Sequence, residues 1–134
     1  MTPYSVSIRV YYRDTDAGGI VFHANYLAFM EQARTEFLSS LGFDVAELVA
    51  QQSVMFIVHR ANLEFLRPAR LNEFLTVTVE PERIGRARLI FRQRVLRGEE
   101  ILVNGELQLA CVDPRSFKPV PLPAAVRAKL GCVD

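Results

Sequence analysis

The chain has no tryptophan, and its 134 residues include only two cysteines and two histidines. Two cysteines, Cys111 and Cys132, do not make a disulfide framework. Cys111 falls inside an apolar stretch and reads as a small buried hydrophobe. His23 and His59 stand apart, without the clustered ligands that zinc requires, so no metal site is expected. Charge of one sign is also missing. Sixteen basic residues nearly cancel fifteen acidic ones, which argues against a nucleic-acid binder. No stretch approaches the roughly 18 apolar residues of a membrane span, and Met1 to Arg9 lacks the apolar run of a signal peptide. These absences point to the cytoplasm. With half of its residues hydrophobic, the chain reads as one domain, 1–134, with a core of its own.

What is present is a change of period along the chain. Val6, Ile8, Val10 and Tyr12 alternate with Ser7, Arg9 and Tyr11, as in a half-buried strand. The turn-forming run Asp14-Thr15-Asp16-Ala17-Gly18-Gly19 then breaks the alternation. From Asn25 to Leu41 the apolar residues Tyr26, Phe29, Met30, Ala33, Phe37 and Leu41 recur at helical spacing. Leu27 and Leu38 widen that face, and a wide apolar face suggests a helix held by something concave. Asn25 is placed to cap its start, and Gly42 to end it in a left-handed conformation with Phe43 folded back onto Leu38. Asp44, with Glu47 three residues on, marks a second, shorter helix.

After Val54 the period is two. Met55, Ile57, Ala61, Leu63 and Phe65 are assigned to one face of a long strand, and Leu75, Val77 and Val79 to the next. Ala87, Leu89, Phe91 and Val95 supply a third, and Ile101, Val103, Leu107, Leu109 and Cys111 a fourth. Short breaks at Arg67-Pro68, Ile84-Gly85 and Arg97-Gly98 suit antiparallel connections. Gly105 suggests a bulge, and Pro121 to Leu130 a closing surface helix. The order is that of an α+β domain, with the long helix covering a meander.

The chemistry concentrates between Tyr12 and Tyr26. Asp14 and Asp16 sit between a strand end and a helix start, where turn formation and catalysis both use aspartate. Free N–H groups at a helix N-terminus stabilise developing negative charge. A carboxylate just ahead of them therefore suits acyl transfer. Gly18 and Gly19 permit close backbone approach without forming a dinucleotide fingerprint. Asp14 reads as structural, holding the turn or pairing with an arginine. Glu31 either reaches the pocket or pairs with Arg34. His59, on an otherwise apolar face, reads as a hydrogen-bonded core or interface histidine. Arg86, Arg88, Arg92 and Arg94, with Arg83 at the turn, form a basic ladder. It is either a solvated face or a landing site for phosphates.

The run Tyr12-Arg13-Asp14-Thr15-Asp16-Ala17-Gly18-Gly19-Ile20-Val21-Phe22-His23-Ala24-Asn25-Tyr26 resembles the active-site motif of the 4-hydroxybenzoyl-CoA thioesterase-like hotdog family. In particular it is similar to the bacterial acyl-CoA thioesterases associated with the Tol-Pal cell-envelope system. The likeness continues through Glu31-Gln32-Ala33-Arg34-Thr35-Glu36, Arg67-Pro68-Ala69-Arg70 and Cys111-Val112-Asp113-Pro114. It implies a five-stranded antiparallel sheet wrapped around the long helix, in homodimers or homotetramers. It further implies that Asp16 is the catalytic carboxylate, as nucleophile or general base, and that the His23 backbone N–H helps polarise the thioester carbonyl. Gly18, Gly19, Ala24, Glu31, Arg86 and Arg88 are the implied substrate-binding positions, the arginines toward coenzyme A phosphates. No cofactor is implied. Acyl carrier protein or lipid-synthesis enzymes are candidate partners. Rival readings are a hydratase or dehydratase of the same fold, and a non-catalytic binding protein.

Overall fold

The computed structural model describes residues 3–131 and shows one five-stranded antiparallel sheet with three α-helices. The strands are β1 (Tyr4–Arg9), β2 (Met55–Phe65), β3 (Phe74–Ile84), β4 (Arg88–Arg97) and β5 (Glu100–Val112). The helices are α1 (Asn25–Ser40), α2 (Val45–Gln52) and α3 (Ala124–Leu130). This is the expected α+β hotdog arrangement.

The sheet order is β1-β3-β4-β5-β2, so only β3, β4 and β5 form a meander. The break at Arg67-Pro68 is therefore no hairpin. It crosses the end of the sheet, anchored where the Leu66 and Arg67 N–H groups donate to Leu102 O. The first strand stops at Arg9, and Tyr12 lies in a single 3-10 turn with its side chain exposed.

Helix α1 packs on the concave face through Tyr26, Phe29, Met30, Ala33 and Leu38, whereas Leu27 is exposed. Its end is a Schellman motif. Gly42, at φ 95°, donates to Ser39 O, Phe43 donates to Leu38 O, and Phe43 packs against the core. The Asp44 carboxylate accepts from Glu47 N at 3.1 Å and caps α2 as expected. In α3 the buried residues are Val126 and Leu130.

Bulges explain where the strict alternation fails. The register of β2 against β5 shifts between Val58 and Arg60. Phe56 and Val58 therefore share the face of Ala61, Leu63 and Phe65, and Met55 and Ile57 point the other way. His59 occupies this bulge with its side chain exposed, outside the core of this chain and in no side-chain hydrogen bond among the described residues. A second shift, between Val95 and Leu96, lets Leu102 enter the core in place of the exposed Ile101.

Gly105 is not a bulge, since it pairs in register with both Leu63 and Gln93. Its role is close approach. A Cβ there would lie 3.1 Å from Met30 Cε and 3.3 Å from Gln93 O. Cys111 is fully buried, as expected, and Cys132 lies outside the described residues.

Candidate active site

The segment from Val10 to Ala24 is fastened to the connection that crosses the sheet end. Val10 N donates to Glu73 O and Asn72 N donates back to Val10 O. Val21 N donates to Ala69 O, and Ala69 N donates to the Tyr26 hydroxyl at 3.1 Å. The Arg67-Pro68-Ala69-Arg70 stretch thus braces the loop rather than turning a hairpin. Burial pushes the Tyr26 hydroxyl pKa up, partly offset by the bond from Ala69.

Within the loop, Asp14 is buried while Asp16 is exposed. The Asp14 carboxylate accepts from Tyr11 N at 2.8 Å and from Asn25 Nδ2 at 2.6 Å. Arg13 stays 3.9 Å away and mostly in solvent. The structural reading of Asp14 therefore agrees with its contacts. Asn25 does not cap α1: it is the first helical residue, and its amide is taken up by Asp14.

Asp16 begins a tight turn. Its N–H donates to Ile20 O, its carbonyl accepts from Gly19 N, and its Oδ1 accepts from Gly18 N at 2.8 Å. Gly19 holds φ at 80°, which a side chain would strain. A Cβ on Gly18 would come within 3.2 Å of Asp16 Oδ1. Among the described residues Asp16 Oδ2 has no hydrogen-bond partner, so that oxygen is free toward solvent.

The start of α1 leaves two donors unused. The N–H groups of Asn25, Tyr26 and Leu27 turn back to the carbonyls of Phe22, His23 and Ala24. The N–H groups of His23 and Ala24 then carry no acceptor among the described residues. They sit at the positive end of a 16-residue helix. The His23 ring packs against Phe22, with centroids 4.6 Å apart, and meets Phe65 edge-on at 6.3 Å. A cavity of about 300 Å³ opens beside it, lined by His23, Tyr26, Phe65, Leu66, Arg67 and Pro68 among others. Asp16 is on the same loop but does not line this cavity.

The remaining candidates lie elsewhere. Glu31 is exposed, accepts from Thr35 Oγ1 at 3.3 Å, and lines a different cavity together with Arg34. His23 and Glu31 of one chain therefore line different cavities. Arg86 and Arg88 are at the β3–β4 turn. The 11 residues of β3 separate that turn from the loop holding Asp16, roughly 30 Å at the rise of a strand.

The basic ladder is also less regular than its spacing suggested. Arg86 is in the bend outside the strand, and Arg92 pairs with Glu82 at 3.4 Å and Glu106 at 3.8 Å. Arg94 reaches Asn104. Arg34, read from the sequence only as a possible partner of Glu31, is instead linked at 2.8 Å to Gln93, a buried residue that the sequence did not single out. The one available signal was a glutamine at an otherwise apolar position of β4. Among the described residues no three His, Cys, Asp or Glu side chains are grouped as metal ligands.

A five-stranded antiparallel sheet packed on one long helix, in this strand order, defines a hotdog domain. The chain belongs to the thioesterase superfamily, whose family model matches residues 18–104. Asp16 lies two residues ahead of the matched span. The acyl-CoA thioesterase YbgC of Haemophilus influenzae is 40% identical over 125 residues, 93% of this chain and 92% of that protein. The acyl-CoA thioester hydrolase YbgC of Escherichia coli O6:H1 is 42% identical over 123 residues, covering 91% of each. A probable thioesterase from Bartonella henselae superposes with a TM-score of 0.87 at 34% identity, covering 91% of this chain and all of that one.

Proposed function

We propose that this protein hydrolyses an acyl-CoA thioester to the free acid and coenzyme A, with the Asp16 carboxylate as nucleophile or general base. The observation carrying this reading is that relatives with this named activity match nine-tenths of the chain at 40% identity and more. It is supported locally by the arrangement of the loop. Gly18 N fixes one oxygen of Asp16 and leaves the other available. The unused N–H groups of His23 and Ala24 offer donors to a carbonyl oxygen that gains charge as the thioester is attacked. The acyl-enzyme route would form an anhydride at Asp16 that water then opens. The general-base route would take a proton from water directly.

Among the described residues no helix is long and apolar enough to cross a membrane. An acyl-CoA substrate, rather than that absence, is the reason this reading puts the reaction in the cytoplasm. The functional unit in this reading is a homodimer or homotetramer. Edge strand β2 leaves Val58 and Phe65 about half exposed on a strand 11 residues long, an edge that proteins ordinarily cover. Arg86 and Arg88, too far from Asp16 of their own chain, would hold the coenzyme A phosphates of a site on a neighbouring subunit. An acyl carrier protein or a lipid-synthesis enzyme belongs to this reading as a partner on the resemblance alone. The direct test is release of free thiol from a panel of acyl-CoAs. Turnover of at least one of them supports the assignment, and none across short, long and aromatic acyl groups overturns it.

A further inference from the structure

One buried charge has no ion pair in direct contact, and the Glu31 carboxylate acts on it only from a distance. Arg34, in the middle of α1, is 8% exposed, and none of the ion pairs among the described residues includes it. A buried guanidinium normally sits against a carboxylate, because desolvation otherwise goes uncompensated. Here its one hydrogen-bond partner is the side chain of Gln93, at 2.8 Å. Gln93 is itself fully buried and fixed, its Nε2 donating to Met30 O at 3.0 Å and Thr78 O at 3.3 Å. The glutamine oxygen is therefore held toward Arg34, and the guanidinium is oriented before any ligand arrives.

The rest of the guanidinium meets open space. Arg34 lines a cavity of about 170 Å³ whose other walls are mainly apolar, with Leu38, Phe56, Phe91 and Leu109 among them. No fully buried side-chain nitrogen or oxygen among the described residues lacks a hydrogen bond, so the unused N–H groups of Arg34 reach the cavity rather than dead packing. At about 30 Å³ per water-sized group, the space takes roughly five or six such groups. Glu31 also lines it, but its carboxylate is exposed and bonded to Thr35 instead of Arg34.

We propose that this cavity binds the carboxylate of a short aliphatic chain, with the Arg34 fork on the carboxylate, the apolar walls around the first three or four carbons and any longer tail at the mouth. A planar guanidinium matches a carboxylate in shape as well as charge. The same chemistry has two sources. One is a free short-chain acid. The other is the far end of an acyl group that carries a second carboxylate and enters from the thioester site of a neighbouring subunit, since His23 of the same chain is about 16 Å away at the rise of a helix; that source rests on the thioesterase reading.

The binding arm is independent of catalysis. Calorimetry of the full chain with hexanoate, hexanamide and hexan-1-ol at neutral pH compares one chain length with and without the charge. Hexanoate should bind on the order of tenfold tighter or better, the ratio a charge-assisted bond supplies. Arg34→Met should remove that advantage. Val45→Trp, which puts a large ring at a lining position contributed by α2 and keeps the arginine, should remove binding altogether. The thioester arm compares adipoyl-CoA with hexanoyl-CoA. A preference for adipoyl-CoA that disappears in Arg34→Met places the carboxylate on the acyl group. Equal turnover with hexanoate still bound places it on a free acid. Equal affinity of hexanoate and hexanamide for the parent protein, or full hexanoate binding by Val45→Trp, overturns the proposal even if acyl-CoA hydrolysis is intact.

Discussion

Asn25 Nδ2 donates to Asp14 Oδ1 across 2.6 Å and ties the first residue of α1 to the loop that carries Asp16. The same carboxylate accepts from Tyr11 N, so a single buried side chain spans the 3-10 turn and the helix start. Removing it takes the acceptor from two part-buried donors. Asp14→Ala should lower stability by about 1–3 kcal/mol, the penalty for unsatisfied buried groups. Chemical denaturation should show a lower midpoint with little change in slope. A midpoint equal to that of the parent protein would mean that the loop holds itself without Asp14.

Gly105 predicts a second stability effect, of a different origin. Its position in a strand would ordinarily favour replacement, by about 0.4–1 kcal/mol. Here the added methyl meets Met30 Cε at 3.1 Å and the backbone oxygen of Gln93 at 3.3 Å. The methionine tip can yield, but the backbone oxygen cannot without shifting β4. Overpacking of this kind costs about 1–3 kcal/mol, so Gly105→Ala should be net destabilising. Pairing it with Met30→Ala should recover only part of the loss, because the contact with Gln93 persists. An increase in melting temperature for the single variant would refute the close-approach account.

The exposed edge of β2 leads to a prediction about assembly. At micromolar concentration the protein should sediment as a dimer or larger. Val58→Lys or Ala61→Lys, each placing a charge on that edge strand, should shift the population toward monomer. A fully active monomer would remove both the interface and the role given to the arginines.

Arg86 and Arg88 are exposed, and neither joins an ion pair among the described residues. Reversing either charge should raise KM much more than it lowers kcat, since phosphate contacts bind substrate and transition state alike. Added salt should weaken the parent's apparent affinity and affect the reversed variants less. KM unchanged in both variants would leave the arginines as a solvated surface.

The residues whose physics is local were the ones legible from sequence. Asp44 caps α2, Gly42 ends α1, and Asp14 holds its turn, because each depends on neighbours within a few positions or on a loop the turn chemistry announces. Long-range arrangement was not legible. The place of β2 beside β5 depends on a crossing connection that looks like any short break. The bulge at His59 reverses the side-chain parity of β2 through pairing with Leu109 and Gln108, which no period in the strand itself reveals. Gly105 showed only that a side chain was absent, and the reason lies in Met30, distant in sequence. Gln93 was missed, and Arg34 was read only as a possible partner of Glu31, for the same cause: each is an ordinary polar residue until the helix and sheet meet.

Asp16 carries the functional reading, and its surroundings make a clean test possible. It is exposed, and among the described residues its one side-chain hydrogen bond is from Gly18 N at 2.8 Å. Asp16→Asn can keep that bond through its amide oxygen while losing charge, basicity and nucleophilicity. The fold should barely respond, since surface substitutions of this kind move stability by about half a kcal/mol or less. Catalysis should fall on the order of a hundredfold to ten-thousandfold, the usual consequence of losing a positioned base, and further if the carboxylate is the nucleophile. The loss should appear in kcat. The N–H groups of His23 and Ala24 and the cavity beside them are untouched by the change, so KM should stay near the parent value. Asp14→Ala supplies the contrast, because it should lose stability first and turnover only through the displaced loop. Single-turnover experiments with labelled water would separate the two routes, since an anhydride opened at its aspartyl carbon leaves the label in Asp16 while direct attack does not. If Asp16→Asn stays folded and releases coenzyme A at the parent rate, the carboxylate has no part in the chemistry.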